Sequence, residues 1–208
     1  LCIPSAFGLI VLGRPIVALI FEHGKFTGYD TIQTADALAA YSLGLAGYAA
    51  VKVLSPAFYA LKDARTPMLV SLGSIVVNYF MNSLLVHRYG HVGLAFSTST
   101  VASVNFALLM ILMRRKLGRI GGRHLSRTFG KICLASFVMA IAVWLVNWQI
   151  SVQLPMRGTL LRLVQVPSAI AAGALSFYFL CRMLGVQELD EAIGSLGGRL
   201  VSRLRNRK

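Results

Sequence analysis

Six apolar stretches, each close to the length that crosses a bilayer, take up nearly all of this 208-residue chain. They fall at 1–21, 36–61, 67–86, 92–113, 130–150 and 160–184. A helix rises 1.5 Å per residue, so about 20 apolar residues match a hydrocarbon core about 30 Å thick. The mean hydropathy of +0.69, with 56% apolar residues, is too high for a water-soluble domain of this size. The pattern predicts an all-α integral membrane protein of six transmembrane helices. The chain opens at Leu1 inside an apolar segment, with no basic region before it and no small-residue cleavage site after it. The expectation is therefore the C-terminal part of a longer protein rather than a signal peptide.

The net charge of +14 lies mostly in the connections. Lys62 and Arg65, then Arg114, Arg115, Lys116, Arg119, Arg123, Arg127 and Lys131, then Arg199, Arg203, Arg205, Arg207 and Lys208 fall on one side. The other side holds Lys25, Arg88, Arg157 and Arg162. Such asymmetry places the first set in the cytoplasm, together with the C-terminus. Anionic phospholipids are the expected partners of these loops. Nucleic acid is not expected, because no aromatic-basic interleaving or recognition motif accompanies the charge. Leu189, Ile193, Leu196, Leu200 and Leu204 repeat at helical spacing among arginines, which predicts an amphipathic tail on the inner leaflet. Cys2, Cys133 and Cys181 sit in apolar segments without paired spacing and read as packing residues.

Polar groups inside the crossings are the candidate functional residues, because each is costly in hydrocarbon. Lys52 lies about 15 Å from the cytoplasmic boundary marked by Lys62, near the midplane. It faces either an aqueous, anion-accepting cavity or a packed interior that neutralises it or satisfies it with carbonyls. Asn78 and Asn82 share a helix face, and the next crossing carries Ser97, Thr98, Ser99, Thr100, Ser103 and Asn105. Their oxygens suit either an alkali cation or hydrogen bonds between helices. In the connection 62–67, Thr66 is placed to cap the third crossing and Pro67 to open its first turn. Gly90 is expected to break the helix between His87 and His91, and Gly44 and Gly47 to allow close packing. Pro4, Pro15, Pro56 and Pro167 are expected at kinks. The acidic residues, Asp30 and Asp36 among them, are expected in loops or at helix ends, and no catalytic constellation is present, so an enzyme is not expected.

The runs Phe21-Glu-His-Gly-Lys-Phe26, Val51-Lys-Val-Leu-Ser-Pro-Ala-Phe-Tyr-Ala-Leu-Lys-Asp-Ala-Arg-Thr-Pro67 and Val92-Gly-Leu-Ala95 strongly resemble the MurJ/MviN family of bacterial lipid II flippases. The similarity is sharpest over 15–115. It implies a fourteen-helix, two-lobe architecture, with residues 1–115 as the last four helices of the second lobe. Residues 116–129 would be a basic cytoplasmic linker, 130–185 two extra helices forming a lipid groove, and 186–208 the basic tail. The resemblance implies transport of undecaprenyl-diphosphate-linked disaccharide-pentapeptide across the bacterial inner membrane, together with the N-terminal half that lies outside this chain. Membrane potential or an ion gradient would supply the energy. A family sodium site, carried over, falls on Asn78, Asn82, Leu94 and Thr98. Asn82 stands where the family has a carboxylate, which implies weaker sodium affinity. Sodium is the one cofactor implied, and the family's essential cavity arginines and aspartate fall outside this chain. A flippase for another lipid-linked oligosaccharide, a drug or cation antiporter, and a non-transporting scaffold are the rival readings.

Overall fold

The computed structural model describes residues 2–22, 24–118, 122–153 and 159–185. The described residues form five long helices: α1 (Cys2–Phe21), α2 (Gly28–Ala60), α3 (Arg65–Leu117), α4 (Gly122–Gln153) and α5 (Thr159–Met183). Each contains a stretch long and apolar enough to cross a membrane. The expected C-terminal amphipathic tail lies outside the described residues.

The third and fourth expected crossings are the two arms of α3, which folds back on itself at Gly90. The backbone there has φ 56° and ψ −136°, outside helical space and in the region that favours glycine. A Cβ on Gly93 would lie 2.6 Å from the Leu85 carbonyl oxygen, a distance that only a tight reversal brings about. At the far end of the hairpin Lys116 reaches Asp63. The two arms therefore keep one antiparallel register along their length, and the turn separates His87 from His91. No cluster of metal-ligating side chains occurs among the described residues.

Two helix starts differ from expectation. Helix α2 begins at Gly28, eight positions before the apolar run, because Thr27 and Asp30 form a reciprocal capping box. The Asp30 carboxylate accepts the Thr27 N–H at 2.8 Å, and this bond with that of the Thr27 hydroxyl holds its pKa below the usual value. Asp30 consequently lies in the first turn of α2, at a helix end as expected, whereas Asp36 lies inside the helix. Helix α4 begins at Gly122, inside the stretch expected to be a linker.

Helix α2 ends in a Schellman motif, with Lys62 N–H on the Tyr59 carbonyl at 2.9 Å and Asp63 N–H on that of Phe58 at 3.0 Å. This geometry puts Lys62 at φ 58°, in the left-handed region. Ala64 flanks α3 without a side-chain cap of its own, and Asp63 rather than Thr66 supplies the carboxylate that caps the helix start. That carboxylate accepts the Thr66 N–H at 3.1 Å and also the Thr66 hydroxyl. Thr66 is thus a donor, and Pro67 occupies the first turn, where its missing N–H costs no hydrogen bond.

Packing is organised around α1 and α2. Helix α1 contacts α2, α4 and α5, whereas α3 packs chiefly on α2. Gly44 and Gly47 let α2 and α3 approach until a Cβ on Gly44 would stand 2.6 Å from the Ser99 Cα. That closeness allows the Ser99 hydroxyl to donate to the Ala40 carbonyl at 2.6 Å. Phe58, Leu109 and Met113 form the α2–α3 core. Leu12, Met139, Val143 and Ala169 join α1 to α4 and α5. Cys181 packs on Ala135, and all three cysteines are free thiols. Helices α1, α2 and α5 continue through Pro15, Pro56 and Pro167.

Candidate functional site

Lys52 lies in α2 eight residues before its end at Ala60, about 12 Å along the axis. Its side chain is exposed, and it has no hydrogen bond or ion pair among the described residues. Helix α3 covers the side of α2 marked by Gly44, Gly47, Val51 and Phe58, and α1 covers that marked by Ala35 and Leu38. Lys52 projects between them. Among the described residues, neither a packed interior nor a carbonyl partner surrounds it.

The amide and hydroxyl set sits in the α3 hairpin. Half-buried residues of the first arm, including Val70, Ser74, Asn78, Asn82 and Leu85, recur at helical spacing on one stripe. Asn82 Nδ2 donates to Asn78 Oδ1 at 2.7 Å, while the buried Asn82 Oδ1 has no partner among the described residues. On the second arm Thr98 Oγ1 donates to the Leu94 carbonyl at 2.8 Å. The four sodium-site candidates are therefore two intra-arm pairs. Ser97 Oγ and Asn105 Oδ1 are buried without partners as well, and nothing in the spacing separates them from their bonded neighbours. Thr100 and Ser103 donate to carbonyls one turn back, on Phe96 and Ser99.

A third feature is an apolar groove of about 390 Å³ between α1, α4 and α5. Leu9, Leu12 and Ile16 form one wall, and Met139, Val143 and Phe177 the other. Gly173 permits this arrangement, since a Cβ there would meet Val143 Cγ2 at 2.7 Å. The family resemblance implies a lipid groove from residues 130–185 alone; the groove described here has α1 as a further wall. Arg14 Nη2 also pairs with Asp36 Oδ1 at 3.7 Å, the two side chains 66% and 50% exposed, a contact that no spacing in the sequence indicates.

Residues 1–164 match the family model described as lipid II flippase MurJ. The chain belongs to that family. It is 33% identical over 192 residues to a probable lipid II flippase MurJ of Rickettsia prowazekii, covering 92% of this chain and 38% of the relative. A probable lipid II flippase MurJ of Vibrio cholerae is 33% identical over 201 residues, covering 90% of this chain and 36% of the relative. A solved structure of lipid II flippase MurJ in an inward closed conformation superposes with a TM-score of 0.67 at 28% identity. That match covers 88% of this chain and 36% of the solved one. The chain thus spans less than two fifths of the length of these MurJ relatives, and it is part of a multi-pass membrane protein.

Proposed function

We propose that this chain supplies the C-terminal six crossings of a lipid II flippase in the bacterial inner membrane, with its C-terminus in the cytoplasm. Residues 1–115 complete the second lobe, and α4 and α5 are the appended pair. The protein is a transporter, and its work is to carry a diphosphate and a sugar-peptide head through hydrocarbon. One observation carries the reading beyond family membership: an exposed lysine, without a partner among the described residues, about 12 Å inside the end of an apolar helix. A cation at that depth is costly facing lipid and favourable facing an anion in an aqueous cavity. Lys52 offsets diphosphate charge there. The apolar groove holds part of the polyprenyl tail, so the tail remains in an apolar environment while the head moves. Asn78, Asn82, Leu94 and Thr98 are the region where a sodium ion would bind, weakly without a carboxylate.

The test is complementation by the full-length protein in cells depleted of their own flippase. The expected result is rescue by the wild type, partial rescue by Lys52→Arg and none by Lys52→Gln, at equal membrane levels. Absence of rescue by a well-expressed wild type would overturn the lipid II assignment. Full rescue by Lys52→Gln would remove Lys52 from the site.

A further inference from the structure

Among the described residues of this chain, helix α2 has two open faces, and their chemistry differs sharply. Tyr41, Tyr48, Lys52 and Tyr59 follow one another at intervals of seven, four and seven residues. At 100° per residue they fall within roughly 40° of one another around the helix, in a stripe about 27 Å long. All four are exposed, the tyrosines at 47%, 43% and 56%. The opposite open face carries Ile32, Leu43 and a series of alanines, 39, 46, 50 and 57, and its one charged group, Asp36, is paired with Arg14 of α1. The two flanks between these faces are covered by α1 and α3.

An aliphatic face suits acyl chains. A face of three phenols around an ammonium does not, because each hydroxyl would lose its hydrogen bonds to water in hydrocarbon. Tyrosine rings offer flat apolar surface for the C–H faces of a sugar, and their hydroxyls exchange hydrogen bonds with sugar hydroxyls. Lysine offers a point charge for phosphate. The stripe places both on one line, with the cation inside the tyrosine series rather than at its end.

We propose that Tyr41, Tyr48 and Tyr59 form a ladder that binds the saccharide of a lipid-linked glycan while Lys52 holds its diphosphate. The tyrosines thereby set the preference for a sugar-bearing lipid over the bare lipid diphosphate. This rests on the flippase reading above and adds the residues that recognise the sugar. The length of the stripe lets successive tyrosines receive the sugar as it advances along α2.

The experiment measures binding of lipid II and of undecaprenyl diphosphate to the purified full-length protein in detergent, by native mass spectrometry. Tyr48→Leu and Tyr41→Leu should weaken lipid II binding about fivefold or more and leave undecaprenyl diphosphate unchanged. Lys52→Gln should weaken both. Melting temperatures of the variants are recorded alongside. Unchanged lipid II affinity in both tyrosine variants, with the wild type binding both lipids, overturns the ladder alone. Equal loss of both lipids, with a lowered melting temperature, makes the stripe a packing face against the rest of the protein and also overturns it. A wild type that binds neither lipid overturns the flippase reading and the ladder together.

Discussion

The Asp63 carboxylate holds the ammonium of Lys116, 53 positions further along the chain. The same carboxylate caps the start of α3 through Thr66, so one side chain closes the hairpin and begins it. The Lys116 hydrogen bond, followed by the Thr66 hydroxyl and N–H, holds the Asp63 carboxyl well below the usual carboxylate range. A carboxyl whose pKa is depressed by folding stabilises above its unfolded pKa, about 3.9, and loses that contribution as pH falls through its folded value. From pH 8 to pH 5 the clasp is therefore fully present, and it weakens only below about pH 4. Asp63→Asn is expected to lower the melting temperature of the full-length protein by roughly 2–4 °C at pH 7. A thermal scan of both proteins at pH 5 and pH 7 should give the same difference; a gap that closes by pH 5 would contradict the clasp.

Gly44→Ala tests the α2–α3 approach. Its Cβ would meet Ser99 backbone at 2.6 Å, which no rotamer change relieves. The helices must separate, with an expected loss of about 1–3 kcal/mol. Ser99→Ala removes only what its hydroxyl donates to the Ala40 and Tyr41 carbonyls and should cost about 0.6 kcal/mol. Unfolding of both variants in detergent checks the order, and a Gly44→Ala protein as stable as wild type would mean that this crossing is looser than described.

Lys62→Gly should raise stability, by about 0.5–1 kcal/mol, since a residue with a Cβ pays for its left-handed backbone at φ 58°. The Schellman bonds are main-chain and survive the change. A fall in melting temperature would show that the Lys62 side chain contributes more than its backbone costs.

Sodium is tested at Asn82. If a cation joins the arms, Asn82→Asp should make the melting temperature rise with sodium concentration more steeply than in wild type. If Asn78 and Asn82 only bond each other, the new carboxylate is an uncompensated charge and the protein is simply less stable. The partnerless Asn82 Oδ1 favours the first outcome. Melting temperatures in sodium and in choline salts separate the two.

The crossings were legible because hydrocarbon thickness demands an apolar length, and four of the six segments needed only small shifts at their ends. The start of α2 was not, since Tyr29, Asp30, Gln33 and Asp36 break the apolar run; the Thr27–Asp30 capping signal was the clue that outweighed them. Whether Asp63 or Thr66 caps α3 depended on the backbone at Lys62, which composition does not reveal. The depth of Lys52 followed from counting residues, but its exposure depended on which sides of α2 receive α1 and α3. Likewise the shared face of Asn78 and Asn82 followed from spacing. The bond between Thr98 and the Leu94 carbonyl is a local choice that the residue types leave open.

Helix α1 is the main mechanical link between the two ends of this molecule. The lysine face belongs to α2, the apolar groove to α1, α4 and α5, and the principal contacts between these groups run through α1. A molecule in the groove would press on Leu12 and Ile16, while Gly13, on a neighbouring face of the same helix, rests on Ala35 of α2. A tilt of α1 would therefore link occupancy of the groove to the helix that carries Lys52, and Pro15, two residues from that contact, is where such a lever would bend.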